Sequence, residues 1–463
     1  MRRSEAAFAA MVAAAMVLGL VLDAVLPARS ERPAATESGQ FVSSGWYCPV
    51  PPGEDMEATM VTGNLGTNAL GLRRSAIGGS AQSAVDQASL DGRRTGSKAM
   101  KDFGVSDATG LVEAFGGNNS TSVVVMARGK GVTSARCSQQ PSSRWLFAGG
   151  STARGDNHYL LISNPFREEA VVQVRLLAGD KEVVPARLKD LVIRSFTQSA
   201  VYLSDYLQEE PNFGIEVTAS RGRVVAARYS NVTAGGGKGI SVEIGVQAPS
   251  SEWIFAGGRV PNDGEESILL VNPGLREALV GIVFMTDEER TAPPDLAEVP
   301  VPAGRQVVVD VSEHLPRGTS YGAEVTSTND VPVVAERRTA GIVDRNRSYE
   351  SVFGVGAPAA RWTVSAGSPA GGNSSLALVN TGQEEASANI TLLSEEGESA
   401  PDELSAISLA PGRKVVVDLE PHLGDGVATA VVTADKPVVA VESQLVVVGT
   451  YVDYAASPGQ AIR

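Results

Sequence analysis

Trp145-Leu146-Phe147-Ala148-Gly149-Gly150 is nearly repeated as Trp253-Ile254-Phe255-Ala256-Gly257-Gly258 and echoed as Trp362-Thr363-Val364-Ser365-Ala366-Gly367. With Trp46 these are all four tryptophans of the chain, at spacings of 99, 108 and 109 residues. A fixed period of this kind marks an internal repeat, one structural unit per copy. Asn64, Asn164, Asn272 and Asn380 follow the tryptophans by 18 or 19 residues, and each ends an apolar run at a turn signal.

Two later markers point to strands. Residues 301–305 and 409–413 are turn sequences ahead of the apolar stretches 306–311 and 414–419. The paired apolar runs 215–219 and 224–228, 323–326 and 331–337, and 428–433 and 438–442 are separated by short polar turns and read as hairpins. The first copy departs most, because residues 78–101 are polar and Gly/Ser-rich with little strand pattern.

Short strands with frequent turn signals and no long amphipathic helix predict an all-β fold of four tandem immunoglobulin-like or fibronectin-like β-sandwich repeats. The expected limits are 45–141, 142–249, 250–358 and 359–463. The Cys-Trp-Cys spacing of antibody domains is absent, so the sequence leaves topology within each sandwich open.

Met1-Arg2-Arg3 precedes the apolar residues 6–22, which continue past Asp23 to Leu26. This predicts a transmembrane signal-anchor helix over 1–28, followed by a polar stalk over 29–44. The apolar run is long for a cleavable signal, and Leu22 and Leu26 occupy position −3 relative to Ala24 and Ala28, so an uncleaved anchor is favoured over secretion. Cys48 and Cys137 are the only cysteines and read as a disulfide stapling the ends of repeat 1, which places the bulk of the chain outside the cell membrane.

The Trp markers, the Asn-Pro pairs at 164 and 272, and the strand Val331 to Arg337 resemble an exported actinobacterial family of unknown function. That resemblance implies a cell-envelope setting and lends no catalytic residue. Asn64-Leu65 and Asn380-Thr381 lack the proline of the pattern, which leaves their turn geometry open.

Composition argues against most chemistry. A net charge of −14 disfavours nucleic acid, and three histidines with two cysteines supply few ligands for metals or haem. No catalytic, cofactor-binding or metal-binding residue is assigned, and the protein is expected not to be an enzyme. The repeated tryptophans suit a core better than a sugar-stacking platform. Asp310 with His314 and Asp418 with His422 resemble acid–base pairs, but repeat 2 has Tyr202 and Tyr206 there, so helix capping is the better reading. His158 reads as a loop residue, the acidic runs as solvated turns rather than calcium loops, and residues 234–239 as a hairpin loop.

The expected function is therefore a non-enzymatic, membrane-anchored scaffold or binding protein of the bacterial envelope. Its partners would be the membrane and either cell-wall polymer or another envelope protein. Units stacked end to end would make a rod about 150 Å long. The alternative is a carbohydrate-binding or hydrolytic accessory acting on wall polymer through repeat 1, for which a hollow lined by two or more carboxylates in that repeat would be the sign.

Overall fold

The computed structural model describes residues 43–462 apart from 54, 79–83, 106–107, 234–236, 344–345, 369–372, 425 and 449–450; side chains are described for these residues except 368, 373, 443–448 and 451–458. The predicted N-terminal anchor and the stalk up to residue 42 lie outside the described residues. Among the described residues no helix is long and apolar enough to cross a membrane, and every helix is a short 3-10 turn.

Strands form where apolar residues alternate. Ala170–Ala178, Ala278–Met285 and Ala386–Leu393 bury every second residue over most of their length, as a pleated strand with one face on a core requires. In repeat 2 the opening strand Arg144–Gly150 pairs with Phe213–Arg221, which pairs with Ala170–Ala178. A second sheet runs Thr197–Tyr202, Asp156–Asn164, Val225–Val232, Gly239–Ile244. Repeats 1 and 3 follow the same order, and every pairing is antiparallel.

The expected hairpins are corrected by this topology. Phe213–Arg221 and Val225–Val232 belong to different sheets, as do Ser320–Ser327 and Val334–Val343, so the turn between them carries the chain across the sandwich. In repeat 4 the crossing is a single 23-residue strand, Gly426–Val448, which pairs in both sheets. Residues 78–101 also hold more strand than expected, with Asp86–Leu90 and Thr95–Ala99 paired to Leu70–Ile77 and Met56–Asn64.

The cores are shared between neighbouring repeats, and the repeats do not stack end to end as a rod. Residues 41–463 are one compact unit, and one buried apolar cluster runs from Trp46 through repeats 2 and 3 to Phe353. A second cluster fills repeat 4 and takes in Ile254, Ala256, Met285 and Val355 of repeat 3. The repeats touch in a closed cycle: the Val242 amide donates to Thr133 Oγ1 at 3.2 Å, Ser241 Oγ to the Ser351 carbonyl at 3.0 Å, the Lys414 amide to the Thr286 carbonyl at 3.0 Å, and the Thr95 amide to the Ser394 carbonyl at 2.9 Å. The last of these joins repeat 1 to repeat 4. End-to-end stacking fails because each repeat offers its neighbour apolar area that a rod would leave wet.

Cys48 and Cys137 form a disulfide with Cα atoms 4.6 Å apart. Cys137 follows the last strand of repeat 1, Gly131–Arg136, and the Tyr47 and Ser138 backbones exchange hydrogen bonds beside the bridge.

Candidate functional site

The repeat markers are structural. Trp145, Trp253 and Trp362 are buried, and each indole N–H donates at 2.8 Å to the carbonyl of a residue on the crossing segment: Val224, Val333 and Val438. Trp46 donates to Asn119 Oδ1 at 2.6 Å instead. All four marker asparagines make the same clamp. Each side-chain amide donates to the carbonyl four residues on and to the strand across the sheet edge, and each Oδ1 accepts the amide two residues on. Asn64 and Asn380 do this without a following proline, so the Asx turn itself fixes the geometry.

In the Asp–His pairs the aspartates bond backbone amides. Asp310 Oδ1 accepts the Ser312 amide at 2.8 Å and caps Val311–Glu313, and Asp418 Oδ1 accepts the Glu420 amide at 3.1 Å. His314 stacks on Phe284 and turns its Nδ1 to Asp295 at 3.8 Å. His158 corrects the loop reading: it lies on the strand Asp156–Asn164 with no exposed surface, and its Nδ1 accepts the Ser151 amide at 3.2 Å. Burial, then Arg228 and Arg338, hold its pKa well below the ordinary value, so it is neutral.

Composition concealed a buried ionic layer. Glu336 takes Arg228 at 2.7 Å across the junction of repeats 2 and 3, and also accepts the Ala148 amide at 2.5 Å. Arg337 meets Glu266 at 3.1 Å and pairs with Glu350, while Tyr321 donates to Glu266 at 2.7 Å. Buried Lys414 of repeat 4 donates to the Gly258 and Tyr321 carbonyls of repeat 3 at 3.1 and 3.0 Å. Burial above all raises Glu350 to about 7 and lowers Lys414 to about 7. The Arg228–Glu336 and Lys414 contacts join repeats, whereas Arg337, Glu266, Glu350 and Tyr321 bond to one another within repeat 3; burial and then Glu336 push the pKa of Glu243 well up.

Open space lies elsewhere, and register explains it. Ile77, Leu177, Met285 and Leu393 each stand thirteen residues after a marker asparagine and pair with Thr109, Gly214, Gly322 and Thr429. The residues just before those partners are Ala108, Phe213, Tyr321 and Ala428. Phe213 and Tyr321 are fully buried against Gly150 and Gly258, where a Cβ would fall about 2.5 Å from the aromatic ring. In the two repeats with alanine at this position it lines a hollow, of about 650 Å³ at Ala428 and about 420 Å³ at Ala108. Thr59 and Ala99 line both. An Ala, Phe, Tyr, Ala column in the four aligned copies was the one clue in the sequence.

The larger hollow opens at the junction of repeats 1 and 4, and its walls are polar. Lys98 meets Asp102 at 2.9 Å, Ser97 Oγ donates to Glu395 Oε1 at 3.0 Å, and Ser394 Oγ donates to Glu396 Oε2 at 2.8 Å, holding the Glu396 carboxyl below the ordinary value. His422 and the glycine-rich approach to the Gly426–Val448 strand complete the rim. Two carboxylates come from repeat 4 and one from repeat 1, so this is a two-repeat cleft and not a feature of repeat 1 alone. Its carboxylates accept hydrogen bonds from neighbours or pair with lysine, an arrangement fitted to holding a polar ligand.

The family model described as a family of unknown function (DUF5719) matches residues 94–353 and again 350–462. No curated protein matches the chain. Solved structures similar to single stretches include Thermotoga maritima 1070, at 19% identity and TM-score 0.21, covering 23% of this chain and 94% of that one. The Anabaena sensory rhodopsin transducer is 24% identical at TM-score 0.17, covering 20% of this chain and 98% of its own.

Proposed function

The chain belongs to the DUF5719 family, a family of unknown function, and from that premise we propose that it is a non-enzymatic binding protein or scaffold of the bacterial cell envelope. In this reading it is built of four immunoglobulin-like sandwiches, tethered by residues 1–28, with its bulk outside the membrane. The disulfide supports an oxidising compartment. The observation that carries the binding role is the cleft of repeats 1 and 4, a polar hollow of about 650 Å³ lined by Ala428. Buried Arg228 and Glu336 elsewhere pair with each other across a junction between repeats.

Asp102, Glu395 and Glu396 around that cleft favour, as the second reading, recognition of cell-wall polymer, with hydroxyl-rich sugars as ligand. The test is a photo-crosslinking amino acid placed at Ser399 in the full chain in its native membrane, with the same group at exposed Leu275 as control. A discrete adduct from Ser399 alone supports cleft binding, and its size and glycosidase sensitivity separate protein from polymer. Equal labelling from both positions, or from neither, removes the cleft as the binding site.

A further inference from the structure

We propose that the second hollow, under Ala108 in repeat 1, is a binding site for a single alkyl chain. It adjoins the polar cleft, sharing Thr59 and Ala99 with it, but does not depend on the function proposed for that cleft.

The hollow holds about 420 Å³, within the range of small-ligand sites and far larger than the gaps a packed interior tolerates. Ala108 in its wall stands at the position that Phe213 and Tyr321 occupy in repeats 2 and 3. Its walls are Val50, Pro51, Met56, Ala58 and Met100, with Met126 beside them. Four of the eight methionines of the chain, Met56, Met60, Met100 and Met126, fall in this repeat. Gly110 makes room for two of them, since a Cβ there would lie 2.4 Å from Met60 Sδ and 3.0 Å from Met100 Sδ.

Thioether side chains are flexible and polarizable, and they mould to apolar ligands without imposing one shape. The lining includes no aromatic ring to stack on a sugar or a base. Glu57, Thr59 and Lys101 supply polar groups, and Lys101 is exposed, where its ammonium can meet an acidic head group. A hollow whose walls join flexible apolar side chains to polar groups, with a cation at its edge, fits an alkyl chain that ends in a carboxylate or phosphate.

The probe is 11-(dansylamino)undecanoic acid, titrated into the full chain held in nanodiscs and read by fluorescence. Ala108→Phe and the gentler Ala108→Leu fill the hollow, and Ala428→Tyr fills the polar cleft as the control. The N-terminal segment is the same in all four proteins, so its own background cancels. We expect saturable binding that weakens at least about tenfold in both Ala108 variants, survives Ala428→Tyr, and is competed by laurate but not by acetate. Unchanged affinity in folded Ala108→Leu, loss in Ala428→Tyr, or equal competition by acetate overturns the proposal.

Discussion

Glu336 of the third repeat holds Arg228 of the second at 2.7 Å, with both side chains shut away from water. Ser351 Oγ accepts from Arg228 at 2.9 Å and donates to Glu336 at 3.0 Å. The pair thus ties two repeats at a point where neither ion can find solvent.

Removing one partner leaves the other charge buried alone, which costs several kcal/mol, whereas replacing both by apolar groups is often neutral. Arg228→Met should lower unfolding free energy by about 3–5 kcal/mol, and Arg228→Met with Glu336→Met should recover most of it. Urea unfolding of the two variants checks this. A double variant as unstable as the single would show that the Ala148 amide bond to Glu336 matters more than the ion pair.

Size complementarity has one sense at two junctions and the reverse at the closing one. Gly214 faces Val271 and Gly322 faces Val379, but at the closing junction Thr429 faces Gly63, where a Cβ would fall 2.6 Å from its hydroxyl. Gly63→Val should therefore destabilise by about 1–3 kcal/mol through overpacking. Adding Thr429→Gly recreates the pattern of the other junctions and should restore at least half of the loss. Thermal unfolding of single and double variants is the measurement.

Glu350 and Lys414 give stability a characteristic pH profile. Glu350 faces Arg337, Glu266 and Lys414, and Lys414 faces Arg337, Glu266, Arg259 and Glu350. Glu350 titrates at about 7 folded against 4.5 unfolded, so the folded state holds the extra proton and stability falls as pH rises through that window, by roughly 3 kcal/mol. Lys414 titrates at about 7 folded against 10.5 unfolded, so its contribution rises with pH above 7. Glu350→Gln should flatten the acid arm and Lys414→Met the alkaline arm. Urea midpoints at pH 5, 7 and 9 that run parallel to those of the unmodified protein would contradict this.

The Cys48–Cys137 bridge closes an 89-residue separation. Replacing both cysteines by serine should reduce stability by about 2–5 kcal/mol, with the loss centred on repeat 1. Hydrogen exchange should show protection falling first in Ser43–Pro49 and Gly131–Arg136 and least in repeat 3. Alkylation of denatured, unreduced protein should label neither thiol.

What the sequence determined by itself was whatever repeats or acts locally. Four tryptophans and four asparagines at constant spacing set the period, the buried indoles and the turns, because one indole needs one acceptor and one Asx turn closes within five residues. Alternation in stretches such as 170–178 made the chain all-β, and a lone cysteine pair named its bridge. The tertiary structure decided the rest. A short polar turn has the same composition whether its strands pair beside each other or cross between sheets, so Ser220-Arg221-Gly222-Arg223 could not announce a crossing. His158 is a buried neutral ring because packing, including Tyr349 of repeat 3, removes it from water and sets Arg228 and Arg338 near it. Contact of repeat 1 with repeat 4 depends on surfaces more than 300 residues apart, such as Arg93 and Glu398, and the hollows at Ala108 and Ala428 depend on which side chains meet there. Local spacing carries neither kind of information, because both arise only when distant backbones are packed together.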